Sequence, residues 1–350
     1  MTGCMRRCRC GLPLILRIWL ARLLVSLGSR QALPVDETRY LGVAWEMWLR
    51  GDFLVPYLNG EPYAHKPPLL FWLIHLSWSV FGVSEWAARL VTAIAGLAGA
   101  VLALPLGRLL WPRQNAVHLL AVWVLFSTLL WALWTTALMF DLLIAVCAEL
   151  AWLGILLSWR GRPWSGWLLA GLGVGLGILA KGPVILVYVL PALLLTPWWA
   201  REQRPAAWWR WYGGGLLALL GGAALALAWA LPAASAGGDA YRDAILWGQT
   251  ADRMVQSFAH QRPFWWYLPM LPVLLYPWIL WKPVWTGLRR RLDDGFDAGE
   301  RFALVTAAGG LLLFTLISGK QVHYLLPFIP LLALLAARAL QALPAGEHVP

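Results

Sequence analysis

The residues able to do chemistry gather in a few short stretches of an otherwise apolar chain. In "PVDETRYLGVAWEMWLRG" (34–51), Pro34 precedes and Gly51 stops an expected short helix, with Asp36, Glu37, Arg39 and Tyr40 crowding its start. Asp36, Arg39 and Tyr40 are spaced i, i+3, i+4 and so share one face. A carboxylate at that point either caps the helix or, beside a membrane cavity, serves as a general base. The roles conflict in part, because capping hydrogen bonds lower a carboxyl pKa. Asp141 opens the apolar run "DLLIAVCAEL", where burial is costly unless the charge is paired or functional; the alternative is a second helix cap. Glu149 lies two turns deeper on the same run and has no evident role.

The cations follow a matching pattern. Lys66 stands in "YAHKPPLLFW" (63–72), flanked by Tyr63 and His65, directly before two prolines and an apolar segment. Lys181 joins two apolar runs through "AKGP" (180–183) and either snorkels at a boundary or faces an anionic substrate. His260 and Arg262 precede an aromatic run, "PFWWYLP", and Lys320, His323 and Tyr324 precede a proline-bearing apolar helix in "SGKQVHYLLPFIP". Lysine and tyrosine at that depth suit a phosphate on a lipid whose tail lies in the bilayer. A divalent metal would be built on His65 and His260, two distant histidines short of a full ligand set.

These residues need a membrane scaffold to hold them. The 350 residues are 60% apolar and only 13% charged, with 26 tryptophans, whereas a soluble domain carries about a quarter charged residues. Runs near the roughly 20 apolar residues that cross a hydrocarbon core recur along the chain, so an all-α, polytopic membrane protein is expected. Spans are read at about 11–28, 86–110, 116–134, 139–158, 164–180, 182–199, 212–231, 264–282, 302–318 and 322–341. The first is read as an uncleaved, poorly hydrophobic span. The net charge of +11 sits in short arginine-rich segments between runs, a pattern of topology and anionic lipid that gives no reason to invoke nucleic acid. Three of the four cysteines, Cys4, Cys8 and Cys10, crowd the N-terminus, and Cys147 lies in a span, so no disulfide framework is expected. The alternating glycines of "GLGVGLG" follow no strand and read as close helix packing, not as a dinucleotide site.

Segment 68–81 decides the orientation. Left out as an interfacial helix, it places every arginine-rich segment on the inner side; counted as a span, it would turn the later ones outward against the positive-inside rule. Two long outer segments result, about 31–67 and 232–263, with tight outer turns at 135–141, at Lys181 and at 319–321. Every candidate residue above except Glu149 falls on that outer side.

Taken together, "DETRY" (36–40), "GDFLVPYLNGEPYAHKPPLLFW" (51–72), the boundary Asp141, "AKGP", "HQRPFWWYLP" (260–269) and "YLLPFIPLLALL" (324–335) resemble bacterial GT-C glycosyltransferases. The resemblance runs from about residue 30 to 341 and is nearest to the lipid A aminoarabinose transferases and the protein O-mannosyltransferase-like enzymes. It implies a sugar carried on a polyprenyl (undecaprenyl) phosphate and transferred with inversion, at the periplasmic face of a bacterial inner membrane, to lipid A or another envelope acceptor. Asp36 matches the family's catalytic first-loop aspartate, Asp141 its second acidic position, and Lys66 the lysine that holds the carrier phosphate. Tyr324, Arg262, Arg39, Lys181 and Lys320 are expected companions at the phosphate, and Glu37, Tyr40, Tyr63 and His260 are expected substrate contacts.

Two departures stand out. His65 replaces the glutamate that the family often carries before its lysine, so that residue's metal or base role does not transfer, and the cofactor stays undefined. Longer relatives add further spans and a soluble C-terminal domain. Here residues 1–341 are expected to form one catalytic domain with a short 342–350 tail, and whatever the further domain does for acceptor recognition is expected to be absent or supplied by a partner. The competing readings are a transporter or flippase of lipid-linked sugars, which places ionisable residues at the midplane between repeats, and a lipid-binding scaffold, which has no need of paired carboxylates.

Overall fold

The computed structural model describes residues 13, 14, 17–25, 30–246 and 261–344. Helices dominate. They are α1 (Asp36–Arg50), α2 (Leu69–Phe81), α3 (Glu85–Leu110), α4 (Asn115–Ser127), α5 (Leu129–Trp134), α6 (Asp141–Trp159), α7 (Pro163–Lys181), α8 (Ile185–Leu194), α9 (Trp208–Ala236), α10 (Lys282–Asp293), α11 (Ala298–Leu316) and α12 (Ile329–Gln341), with short turns between. A small antiparallel hairpin pairs Tyr57–Leu58 with Glu61–Pro62. Its turn, Asn59-Gly60, holds both residues at positive φ, as a two-residue hairpin turn requires.

Six helices among the described residues are long and apolar enough to cross a membrane: α3, α6, α7, α9, α11 and the stretch Val322–Gln341 that ends in α12. Several of the other expected runs are broken into shorter pieces among the described residues. The run expected at 116–134 breaks at Thr128, whose hydroxyl bonds back to the Val124 carbonyl while the Leu129 amide turns to Tyr276 O. That at 182–199 divides into α8 and a short turn of helix, Thr196–Trp199, with Pro191 inside the first and Pro197 in the second. That at 264–282 becomes 3-10 and short helical pieces, because Pro269, Pro272 and Pro277 each remove an amide donor. Within the first expected span, the described residues 17–25 are helical, and Arg22 donates to the Ala132 carbonyl at 2.5 Å.

The glycines of α7 permit backbone contact on two sides. A Cβ on Gly173 would meet the Cys147 carbonyl at 2.7 Å, and one on Gly154 of α6 would meet the Gly166 carbonyl at 2.5 Å. Against α9, a Cβ on Gly171 would come within 2.9 Å of the Ala218 carbonyl. Close packing explains the motif, as its sequence context predicts.

At one end of the bundle, Arg291 of α10 holds Glu300 of α11 at 2.6 Å, and Arg338 of α12 reaches Asp297 at 3.2 Å. Asp297 and Glu300 form a capping box that starts α11.

The opposite end carries a separate apolar cluster. Tyr40, Val43, Ala44 and Met47 of α1 pack with Leu70, Phe71 and Ile74 of α2, Ala87 and Ala88 of α3, and Leu138 and Phe140 before α6. Helix α2 has 13 residues, rising about 20 Å, too short for a core of about 30 Å. Pro67 and Pro68 precede it, where missing amide donors cost nothing. Buried His75 fastens it to α1 through an Nε2 contact of 2.9 Å to the Ala44 carbonyl.

Candidate functional site

Helix α1 starts abruptly. Val35 precedes it at φ 74, a strained value for a β-branched residue, and no side chain caps the first turn. Asp36 is therefore not the cap that its position allowed. It is the first helical residue, its side chain 48% exposed, with Arg39 Nη2 at 3.4 Å and the Tyr40 hydroxyl at 3.5 Å. A half-exposed i, i+3 pair of this length contributes at most about 1 kcal/mol. Burial, followed by the Asp36 charge, pushes the Tyr40 phenol well above its usual pKa, so it remains a donor.

Glu37 has a different task from the substrate contact expected of it. It is wholly buried, accepts both Arg30 Nη atoms at 2.7 and 2.8 Å, and takes the amides of Leu33 and Leu138. Burial alone would raise its pKa; Arg30 and the two amides outweigh that and hold it below the usual carboxylate range. The carboxylate has no room for a ligand. It ties segment 30–37 to the turn before α6, which Arg30 also reaches through the Thr136 carbonyl at 2.7 Å.

Asp141 begins α6 and likewise caps nothing. Its side chain is 2% exposed and pairs with Lys181 Nζ at 2.5 Å, while Trp134 Nε1 donates to its other oxygen at 3.3 Å. His323 Nε2 stands 3.9 Å away. Lys181 is not snorkelling to a boundary: its ammonium is buried in this pair and lies 4.7 Å from the Tyr324 ring centre. Lys66, over the Phe140 ring at 5.6 Å, is within electrostatic reach of Asp141 and of His323, and His323 also senses Asp36. One cluster thus unites Asp36, Arg39, Tyr40, Lys66, Asp141, Lys181, His323 and Tyr324. The cluster holds two carboxylates, paired with Arg39 and Lys181, and a third cation, Lys66, within reach of Asp141.

Other expected members lie elsewhere. Lys320 is buried and spends its ammonium on the carbonyls of Ile317 and Arg262, and burial draws its pKa down. That geometry corrects its phosphate assignment: it stitches the end of α11 to the Arg262 strand. Arg262 itself is exposed, held at its amide by Ser318 O, with its guanidinium 5.9 Å from the Trp266 ring centre. Tyr63 is buried against Phe71 and against the exposed His65, 5.3 Å between ring centres. His260, expected as both substrate contact and metal ligand, lies outside the described residues. Among the described residues, no group of three or more His, Cys, Asp or Glu side chains is placed to hold a metal ion.

Trp134 and His323 were missed as partners of Asp141. Their rings lie 5.6 Å apart and close one side of the carboxylate. His323 sits next to Tyr324 in sequence and was legible as an outer ionisable residue; Trp134, at the end of an apolar run, carried no such signal.

This arrangement of short outer helices over a bundle, with ionisable residues gathered at one end, defines a polytopic membrane protein of the GT-C type. Residues 65–229 match the family described as dolichyl-phosphate-mannose-protein mannosyltransferase. The undecaprenyl phosphate-alpha-4-amino-4-deoxy-L-arabinose arabinosyl transferase of Edwardsiella ictaluri is 32% identical over 340 residues, covering 93% of this chain and 58% of the relative. That of Pseudomonas aeruginosa is 31% identical over 332 residues, covering 93% and 59%. Among solved structures, ArnT from Cupriavidus metallidurans bound to undecaprenyl phosphate superposes with a TM-score of 0.80 at 22% identity, over 95% of this chain and 60% of that one. The chain is thus similar to these aminoarabinose transferases over nearly its whole length, to the mannosyltransferase family over residues 65–229, and shares the fold of ArnT. It spans somewhat under two thirds of the length of the curated relatives it matches.

Proposed function

We propose that this protein transfers a sugar from a polyprenyl phosphate carrier to an envelope acceptor such as lipid A, with inversion, at the periplasmic face of the inner membrane. The observation that carries this is one cluster in which the half-exposed Asp36 carboxylate, the buried Asp141–Lys181 pair and the Lys66 ammonium lie within electrostatic reach of His323. The relatives' names supply the donor class, and the arginine-rich inner segments supply the orientation.

In the proposed reaction an acceptor oxygen attacks the anomeric carbon opposite the phosphate, and the bond from that carbon to the phosphate oxygen breaks. The electron pair leaves with the polyprenyl phosphate, where Lys66 stabilises the growing negative charge. Asp141 orients Lys181 and prevents two lysines from repelling each other across the site. If the acceptor is a hydroxyl, Asp36 receives its proton; if it is a phosphate, already ionised at neutral pH, Asp36 stabilises the positive charge developing on the sugar. A divalent metal would need more ligands than His65, the described member of the expected histidine pair, supplies.

The test is a reconstituted assay with undecaprenyl phosphate-linked aminoarabinose and lipid A, read by mass spectrometry. A product heavier by one aminopentose is expected. Consumption of no donor with lipid A, other glycolipids or envelope protein would defeat the reading and favour lipid transport.

A further inference from the structure

A second cavity runs along α12, leading away from the charged cluster. An open apolar groove with about 140 Å3 of water-accessible space lies between α4, α10, α12 and the Leu275–Ile279 turn. Ala333, Ala336 and Ala339, three residues apart, form its floor along α12, while Trp278 and Trp285 form its walls. Both walls are fastened: Trp278 Nε1 donates to the Val124 carbonyl at 3.0 Å and Trp285 Nε1 to the Ile279 carbonyl at 2.7 Å. At its foot, α10 meets α12 backbone to backbone, since a Cβ on Gly287 would strike the Ala339 carbonyl. From Ile329 to Ala339 the groove follows α12 for about 15 Å, enough for a length of acyl chain.

Charge at the rim selects the headgroup. Of the basic residues around this end, Arg291 and Arg338 are neutralised by Glu300 and Asp297. Lys282 and Arg289 are exposed, seven residues apart on α10 and therefore on one face, with Trp285 between them. Neither pairs with a carboxylate among the described residues. Asp293 and Asp294 follow at the far end of α10, and Asp294 is engaged by Arg291 at 3.4 Å. A helix of this pattern, apolar on one side and basic with tryptophan on the other, lies in a membrane interface.

On the orientation proposed above, which puts α10 at the inner surface, we infer that this groove is a binding site for an anionic glycerophospholipid of the inner leaflet. One acyl chain lies on the alanine floor, and Lys282 and Arg289 hold the phosphate and headgroup. The site is separate from the sugar site, so it bears on anchoring and not on the reacting groups.

The test uses the full chain in phosphatidylcholine bilayers doped with either phosphatidylglycerol or phosphatidylcholine carrying a diazirine on the acyl chain. After irradiation, cross-linked peptides are mapped by mass spectrometry. Phosphatidylglycerol is expected to label the 284–288 and 332–339 peptides severalfold more than phosphatidylcholine does. The exposed-residue variant Lys282→Gln/Arg289→Gln should erase that excess, and Ala336→Trp should remove the label from the groove. Arg204→Gln, on another arginine-rich segment, should change nothing. Equal labelling by the two lipids, label spread evenly over all lipid-facing helices, or a groove protected by residues 1–12 of the chain itself would each overturn the inference.

Discussion

Lys181 Nζ lies 2.5 Å from the Asp141 carboxylate, with side chains 10% and 2% exposed, so each charge is out of water only because the other is there. Removing one partner of such a pair is expected to cost about 3–5 kcal/mol. Lys181→Ala should therefore lower the thermal midpoint in detergent steeply, and Lys181→Met/Asp141→Asn should recover much of the loss. Additive losses in the double variant would show that the two side chains do not depend on each other.

Asp36 is held by contacts too weak and too exposed to matter for folding. Asp36→Asn should leave membrane insertion and the melting temperature unchanged and reduce turnover by about 10²–10⁴-fold, the usual contribution of a positioned acid or base. Near-normal turnover by the purified variant would remove Asp36 from the mechanism.

Lys66 is the cation proposed to meet the carrier phosphate. Lys66→Ala should raise the apparent KM for the lipid-phosphate donor, with a smaller effect on the acceptor. A donor KM equal to that of the unaltered protein would assign Lys66 to packing against Phe140 instead.

Glu37 gives a pH signature of its own. Its folded pKa is depressed, so its contribution to stability is fully present above the ordinary carboxylate value, about 4.3, and is lost as pH falls through the lower folded value. Acidification should release segment 30–37 from Leu138, exposing it to an acid protease before the spans unfold. Glu37→Gln should make that susceptibility nearly independent of pH over the same range, and an unchanged acid transition would place the sensitivity elsewhere.

Helix type, outer clustering and the pairing of motifs across the chain were readable because apolar periodicity and arginine placement report them directly. Segment 68–81 was readable as a helix too short to span, and α2 covers Leu69–Phe81. What stayed hidden depends on contacts between distant segments. Lys320 reads like Lys66 in sequence, yet one ammonium is spent on carbonyls and the other joins the cluster. Glu37 differs from its neighbour Asp36 only by which face of α1 it occupies, and that face meets Arg30 and Leu138. The broken spans follow from Thr128 and from prolines whose effects depend on which carbonyls lie within reach.

Helices α6 and α7 are both 19 residues long and are joined by three residues, with backbones in contact at Gly154 and Gly166. The hairpin therefore works as a calliper: Asp141 and Lys181 are the two tips, and they meet because the arms match. One residue inserted in the middle of either arm would move its tip by about 1.5 Å and turn it by about 100°. The chain thus measures this charge pair from the loop at the far end of the hairpin, and arm length is as much a part of the site as the charged residues are.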